Sequence, residues 1–271
     1  MEFALNHMAC PRMGVPDVLE MAAHLGCVGV ELRNDLHVPL FNGVGAQAAG
    51  DMACRNGVRL LALAEIPSFN VPTDVTTQKA EQLIGNAKAC GAEAIALIPR
   101  NDSQGMGNGE RQANLRLSLR ALKPLLEDAE IMGFIEPLGF VSSSLRSKRE
   151  ALDAITAVNG ENCFRIIHDT FHHHLAGEAD VFPDMTGIVH ISGVDDARVA
   201  LGDLRDAHRG LVGPQDRLGN VAQISSLLAG GYAGPFSFEP FAKHVHAMEN
   251  PQDALADSME FIRSYLSAQA A

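Results

Sequence analysis

Eight short apolar runs alternate with longer amphipathic segments along almost the whole chain. The runs are rich in Val, Ile, Leu and Phe, which is typical of strands buried on both faces. They cover residues 3–7, 28–32, 59–64, 94–98, 133–137, 164–168, 187–191 and 235–239. The segments that follow predict helices over residues 15–25, 46–56, 76–90, 110–131, 148–158, 172–181, 218–229 and 252–267. Several of these helices end just before a Gly, such as Gly57 or Gly91, and Gly at this position commonly turns a helix into a strand.

Eight strand–helix units over about 250 residues, without a linker-like change in composition, predict one (β/α)8 TIM barrel. We expect this α/β barrel to form a single domain over residues 1–271. A doubly wound open sheet is the alternative. It is disfavoured because no G-x-G-x-x-G motif follows the first strand and no Walker phosphate loop is present.

Four consecutive predicted strands carry an ionisable residue at or beside their C-terminal ends: Glu136, Asp169, His190 and Glu239. In a barrel these ends converge on one mouth. Three carboxylates and one imidazole suit one divalent metal ion, Mn²⁺ or Mg²⁺ in the first place, and are also compatible with Co²⁺ or Zn²⁺. Each residue alone has a simpler interpretation, as a helix N-cap, the partner of a buried Arg, or a core histidine. Buried carboxylates without partners are rare, so agreement on four successive strands favours the metal site.

The sixth run leads into a histidine-rich segment, which contains His168, His172, His173 and His174. His172 follows Asp169 by three residues, which places both on one face of a helix. We therefore predict that His172 reaches a substrate oxygen. His168 points opposite to Asp169 in an extended strand, so we assign it to packing. His173 and His174 are also expected to be structural.

Two Glu residues on one divalent ion suit proton transfer beside a carbonyl, with an enediolate as the intermediate. One of Glu136 and Glu239 removes the α-proton, and the other returns a proton. The outcome is aldose–ketose isomerisation, movement of a ketone around a ring, or epimerisation. Three carboxylates against one 2+ ion favour a neutral polyol or ketose over a phosphorylated substrate.

Charge and composition exclude several other classes of protein. The net charge of −12 opposes nucleic-acid binding. No apolar run reaches the ~20 residues that cross a bilayer, and the first residues lack the features of a signal peptide. The five cysteines are scattered without a CxxC motif, which fits reduced thiols. We expect a cytoplasmic protein with a small-molecule partner, without nucleic-acid or membrane partners; a homodimer is compatible with these features.

The strand-end motifs resemble those of a known family. Ile-Glu136-Pro-Leu, Asp169-Thr-Phe-His172, Val-His190-Ile-Ser and Phe-Ser-Phe-Glu239-Pro are similar to the metal-site motifs of the xylose-isomerase-like TIM-barrel superfamily. The nearest branch contains inosose isomerase, ketose 3-epimerase and hydroxypyruvate isomerase. The resemblance implies that Glu136, Asp169, His190 and Glu239 bind the metal, that Glu136 and Glu239 are the acid/base pair, and that His172 orients substrate.

Three further segments look like parts of inosose isomerase relatives. They are Asn6-His7, residues 31–35 and residues 206–213. The resemblance implies that His7, Arg33, His208 and Arg209 also bind substrate. It implies a role in carbohydrate metabolism, specifically inositol catabolism.

Two departures bear on the substrate. Ketose 3-epimerases carry a Glu six residues after the first metal Glu, where this chain has Ser142. They carry an Arg six residues after the metal His, where this chain has Asp196. These differences favour 2-keto-myo-inositol isomerase over ketose 3-epimerase. Hydroxypyruvate isomerase, an inosose dehydratase that uses the same enediolate, and a non-catalytic metal-binding barrel remain alternatives.

AP endonucleases of the same superfamily use a three-metal site, and Asp206-x-His208 resembles one of its ligand pairs. The third and fourth runs here end in Ala64-Glu65-Ile66 and Ile98-Pro99-Arg100, without the histidines that such a site needs. This absence and the acidic charge argue against a nuclease.

Overall fold

Eight parallel strands close into a barrel in chain order, with β1 paired to both β2 and β8. The computed structural model describes residues 1–269, so residues 270 and 271 of the predicted domain lie outside the described part. The strands are β1 Glu2–Asn6, β2 Gly29–Arg33, β3 Arg59–Pro67, β4 Ala94–Ile98, β5 Met132–Ile135, β6 Phe164–Asp169, β7 Thr186–Ile191 and β8 Pro235–Phe238. The prediction of a (β/α)8 barrel is confirmed.

Helices follow the strands in the order expected of this fold. They are α1 Val15–His24, α2 Ala46–Asn56, α3 Asp74–Cys90, α4 Asn108–Ala129, α5 Lys148–Thr156, α6 Thr170–Ala176, α7 Asn220–Ala229, α8 Lys243–His246 and α9 Pro251–Gln269. Short 3₁₀ turns occupy His7–Ala9, Pro183–Met185, Leu201–Asp203 and Asp206–His208. No helix of residues 1–269 has the length and apolarity needed to cross a membrane.

Several predicted boundaries were wrong. The helix predicted over residues 172–181 ends at Ala176, because Gly177 adopts a left-handed conformation with φ of 66° and closes the last turn. The third strand runs to Pro67 instead of residue 64. β5 and β8 end one residue before Glu136 and Glu239, so these two carboxylates lie at the start of the following loops.

Alternation along the strands decides which side chains face the barrel axis. Residues such as Phe3, Leu5 and Val189 belong to a large apolar cluster that strands and helices share. A separate cluster contains strand residues only, among them Ala4 and Ile188. It fills the barrel interior, because successive side chains of a strand point to opposite faces. The interior positions continue toward the C-terminal ends of the strands, where the polar residues of the next subsection lie.

Candidate active site

Four side chains from the ends of consecutive strands meet at the mouth of the barrel. Asp169 on β6 is in register with His190 on β7, and His190 is in register with Ser237 of β8, two residues before Glu239. Glu136, Asp169, His190 and Glu239 each offer one ligand atom, and these atoms lie within 4.8 Å of one another. All four residues are buried. The cluster could therefore hold a metal ion.

The hydrogen bonding of the His190 imidazole indicates whether a cation fits this cluster. Its Nε2 donates a hydrogen bond to Oε2 of Glu31 at 3.0 Å. Its Nδ1 faces Oε2 of Glu239 at 3.1 Å and Oε1 of Glu136 at 3.7 Å, yet makes no hydrogen bond with any part of residues 1–269. A buried nitrogen without a hydrogen bond, next to carboxylate oxygens, is the donor set expected around a divalent ion. The residues fit the metal that the motifs imply.

Burial and neighbouring charges shift the pKa values of Glu136, Glu239 and His190 in different directions. Burial, reinforced by the charge of Glu239, raises the pKa of Glu136 to about 7 despite the opposing effect of His190. Burial also acts to raise the pKa of Glu239, but His190, Arg209 and Arg33 outweigh it and hold that pKa well below its ordinary value. Burial acts to lower the pKa of His190, but the Glu239 and Glu31 carboxylates raise it well above the ordinary range. Without a cation, the cluster thus retains a proton on the imidazole.

Arg33 on β2 contacts the cluster of candidate metal ligands. Its Nη1 donates to Oε1 of Glu239 at 2.6 Å. Its Nε and Nη2 form a bidentate ion pair with the two carboxylate oxygens of Asp35, each at 2.8 Å. Nη2 also lies 3.3 Å from Oε2 of Glu65. The guanidinium group is buried, and these carboxylates compensate its charge. Arg33 therefore lies at the wall of the cavity described below.

Arg209 enters the site from the long loop after β7. Its Nη2 donates to Oδ2 of Asp169 at 2.6 Å and to Oε2 of Glu239 at 2.9 Å. The guanidinium group also lies over the rings of Phe171 and Phe241, at 5.1 and 4.5 Å from their centroids. The rings and the two carboxylates fix Arg209 beside the candidate metal ligands.

A cavity of about 310 Å³ opens from the cluster toward solvent. This volume is in the range of small-molecule sites. Its polar lining contains Arg33, Asp35, Glu65, Asn101, Glu136, His172, Asp206, Arg209 and Glu239. Its apolar walls include Ile98, Leu138, Phe140 and Phe241. The cavity combines carboxylates at the cluster with a mixed polar and apolar wall that a small molecule could contact.

His172 lines this cavity from the first turn of α6. Its ring is buried and packs edge-on against Phe140 and Phe171, with centroids 5.1 and 5.3 Å away. Burial lowers its pKa, so the imidazole is neutral at pH 7. The backbone N–H of His172 donates to Oδ1 of Asp169 at 2.9 Å. Asp169 is therefore the N-cap of α6 as well as a member of the ligand cluster, so the two interpretations of this residue are compatible.

The structure does not bring His7 and His208 to the cavity wall. His7 begins the 3₁₀ turn after β1, and its Nε2 donates a hydrogen bond to the carbonyl oxygen of Met13 at 2.9 Å. His208 ends a 3₁₀ turn, and its Nδ1 accepts a hydrogen bond from the backbone N–H of Arg205 at 2.9 Å. Local backbone contacts thus hold both imidazoles away from the cavity.

The other histidines of the sixth unit have structural surroundings. His168 points away from the barrel axis, and its Nε2 donates to Oε1 of Gln223 on α7 at 2.9 Å. Its ring lies 4.7 Å from that of His173, whose Nδ1 is 2.5 Å from Nζ of Lys148. Burial lowers the pKa of His168 to about 3. These contacts place His168 and His173 in the packing between the sheet and the helices.

Sequence reasoning assigned no role to three polar side chains of the site. Asn6 and Glu31 are fully buried at the bottom of the cluster, and Glu65 lines the cavity. Burial raises the pKa of Glu65 to about 7, although Arg33 acts to lower it. The available signal was a carboxylate inside an apolar run, as in Gly29-Val-Glu31-Leu-Arg33. Glu31 and Arg33 are two residues apart on one strand, so both side chains point to the interior face.

Comparisons with known proteins agree with this geometry. The family model described as xylose isomerase-like TIM barrel matches residues 19–265. No curated protein sequence matches the chain. A solved xylose isomerase domain containing protein from Salmonella typhimurium LT2 is 28% identical, with a TM-score of 0.89 over 98% of this chain and 97% of that one.

Two more distant structures share the fold. IolI protein, solved with a zinc atom, is 18% identical, with a TM-score of 0.88 over 99% of both chains. D-psicose 3-epimerase from Clostridium cellulolyticum H10, solved with D-tagatose, is 17% identical, with a TM-score of 0.74 over 98% of this chain and 99% of that one. Since the family model covers most of the sequence, the chain belongs to the xylose isomerase-like TIM barrel family.

Proposed function

We propose that the protein is a divalent-metal-dependent isomerase of a neutral ketose or inosose, with 2-keto-myo-inositol as its substrate. The observation that carries this proposal is the arrangement of Glu136, Asp169, His190 and Glu239, whose ligand atoms lie within 4.8 Å of one another beside a small cavity. The IolI structure with zinc supports a metal role for such a barrel. Mn²⁺ or Mg²⁺ is the proposed ion, because three of the four ligands are carboxylates.

When bound by Glu136, Asp169, His190 and Glu239, the ion would polarise the carbonyl and hydroxyl oxygens of the substrate. Glu136 and Glu239 both border the cavity and form the acid/base pair. One carboxylate removes the proton beside the carbonyl, which gives the enediolate, and the other returns a proton at the neighbouring carbon. The neutral His172 donates or accepts a hydrogen bond at a substrate hydroxyl.

Arg33 and Arg209 hold the Glu239 carboxylate in place through its two oxygens. Oε1 accepts from Arg33 and Oε2 accepts from Arg209. Charge-assisted hydrogen bonds of this kind orient a carboxylate more strongly than neutral ones. We assign these arginines to positioning Glu239 against the substrate carbon, in addition to the predicted contact with substrate.

The charges of the cavity favour a neutral substrate. Asp35, Glu65 and Asp206 add three acidic groups to its wall. The two arginines that line it, Arg33 and Arg209, already pair with carboxylates. An anion such as hydroxypyruvate would therefore meet no unpaired guanidinium group among the described lining residues. A polyol instead finds many hydrogen-bond acceptors for its hydroxyl groups.

The test is to incubate the Mn²⁺-loaded protein with 2-keto-myo-inositol in D₂O and follow the substrate by proton NMR. We expect exchange of the α-proton and the appearance of a second inosose. An inosose dehydratase would instead produce a diketone or enone absorbance, and a ketose 3-epimerase would act on open-chain ketoses such as D-tagatose. Glu150→Gln is a matched control, because Glu150 pairs with Arg111 away from the cavity. Absence of exchange with a panel of inososes and ketoses would refute the isomerase assignment.

A further inference from the structure

Glu31 lies below the candidate metal ligands inside the barrel. It is completely buried on β2, and its Oε2 accepts the hydrogen bond from Nε2 of His190 on β7. β2 and β7 are not neighbours in the closed sheet, so this contact crosses the barrel interior. Glu31 does not line the cavity. It can therefore act on substrate only through other residues.

The second oxygen of Glu31 is also occupied. Oε1 accepts from Oγ of Ser237 at 2.5 Å and from Nδ2 of Asn6 at 3.3 Å. The same Nδ2 of Asn6 lies 3.2 Å from Oε1 of Glu239. Three donors thus converge on one carboxylate, as a buried carboxylate requires. Of these donors, His190 is itself a candidate metal ligand, and Asn6 also contacts the candidate ligand Glu239.

The hydrogen bond from His190 determines which imidazole nitrogen is free. A carboxylate only accepts hydrogen bonds, so Nε2 must carry a proton. In the neutral imidazole, Nδ1 then carries the lone pair, and Nδ1 is the atom that faces Glu136 and Glu239. If Nε2 were the unprotonated nitrogen, its lone pair would face Glu31 and the N–H of Nδ1 would point into the ligand cluster.

We propose that Glu31 is a positioning residue that fixes the His190 tautomer and ring orientation, so that Nδ1 is presented to the metal. This inference rests on the metal centre of the proposed function. A carboxylate that accepts from the distal N–H of a metal-binding histidine also makes the imidazole a stronger ligand. Through Asn6, the same residue orients Oε1 of Glu239.

Metal affinity in the absence of substrate tests this role. Glu31→Gln keeps the shape of the side chain but removes its charge and one acceptor oxygen. We expect the dissociation constant for Mn²⁺, measured by calorimetry on the whole chain at fixed pH, to rise by about 10- to 100-fold. Glu150→Gln, which removes a carboxylate far from the ligands, should leave the constant at its wild-type value. An unchanged constant in Glu31→Gln, or no Mn²⁺ binding by the wild type, would overturn the inference.

A spectroscopic readout separates positioning from a general effect on folding. In Zn²⁺-loaded protein with ¹⁵N-labelled histidine, we expect the His190 spectrum to show a proton on Nε2 and metal on Nδ1. The signal is assigned by its absence in His190→Gln. In Glu31→Gln we expect the Nε2 proton to exchange faster with water. A wild-type spectrum with the proton on Nδ1 would contradict the inference.

A second variant covers the case in which Glu31→Gln does not fold. Glu31→Asp keeps the charge but draws the carboxylate back toward β2, away from His190, and should also weaken Mn²⁺ binding. Wild-type Mn²⁺ affinity in Glu31→Asp, with the wild-type exchange rate of the Nε2 proton, would overturn the inference. Because neither readout needs substrate, a failure of the isomerase assay leaves this test intact. Conversely, isomerase activity in the wild type does not require that Glu31 act as proposed.

Discussion

Nη1 of Arg33 lies 2.6 Å from Oε1 of Glu239, and both side chains are almost completely buried. Arg33→Met would leave the Glu239 carboxylate without one of its cationic partners. Removal of one member of a buried pair costs about 3–5 kcal/mol of folding stability. We expect a loss of this size in urea unfolding, measured with EDTA present.

The Arg59–Glu93 pair provides a matched control for this prediction. Its two side chains are 53% and 44% exposed, although its Nε–Oε1 distance is also 2.6 Å. Exposed pairs contribute only ~0–1 kcal/mol. Arg59→Met should therefore lower the unfolding free energy by no more than about 1 kcal/mol. Equal losses in the two variants would contradict the buried role of Arg33.

Glu239→Gln should strongly slow proton transfer. A positioned general acid or base contributes about 10²–10⁴-fold to a rate. We expect deuterium incorporation from D₂O into 2-keto-myo-inositol to slow by this factor, and Glu136→Gln to behave similarly. The rates should be compared at saturating Mn²⁺, since both substitutions also remove a candidate ligand charge. Retention of the exchange rate in either variant would remove that residue from the acid/base pair.

Removal of the metal should destabilise the native protein as well as inactivate it. An ion that binds only the folded chain stabilises it by about 2.7 kcal/mol when its free concentration is about 100 times its dissociation constant. We expect Tm to rise with added Mn²⁺ and to fall to the metal-free value with EDTA. A Tm independent of Mn²⁺ would argue against a site formed by Glu136, Asp169, His190 and Glu239.

Because of His168, we expect the free energy of unfolding to fall in acid. Its pKa is about 3 in the native state because burial disfavours the charged imidazole, against ~6.5 when unfolded. The unfolded chain therefore binds a proton that the native chain does not, and stability falls as the pH drops from about 6.5 toward 3. From pH 7 to pH 5 this residue should cost about 2 kcal/mol. Urea unfolding at pH 7 and pH 5 measures this effect: the unfolding free energy of His168→Gln should fall by about 2 kcal/mol less than that of the wild type. An equal fall in the two proteins would mean that His168 is not buried in its neutral form.

His172 and His208 form a contrasting pair, since the family resemblance implied substrate contact for both. Only His172 lines the cavity. Loss of one hydrogen bond costs about 0.5–1.5 kcal/mol, so His172→Gln should raise KM by about 2- to 12-fold. His208→Asn should leave KM unchanged in the same steady-state assay. The reverse result would mean that the loop containing Asp206–His208 closes over the substrate.

Periodic patterns account for what the sequence could predict. The eight alternating units predicted the barrel, and the rule that strand ends converge predicted that Glu136, Asp169, His190 and Glu239 meet. The contact of Glu31 with His190 was not predictable, because it depends on the register of two strands that are not neighbours. The positions of His7 and His208 were not predictable either, since local hydrogen bonds in aperiodic loops fix them.

The hydrogen bond between Asn6 and Glu239 joins residues 233 positions apart. At ~5–20 residues per second, a ribosome needs on the order of ten to fifty seconds to add that stretch. Asn6 and Glu31 thus leave the ribosome long before the strand that carries Ser237 is made. The proposed metal centre can be completed only after β8 docks beside β1, so metal loading would follow the synthesis of β8. Metal retention by newly made chains would then report barrel closure in the cell.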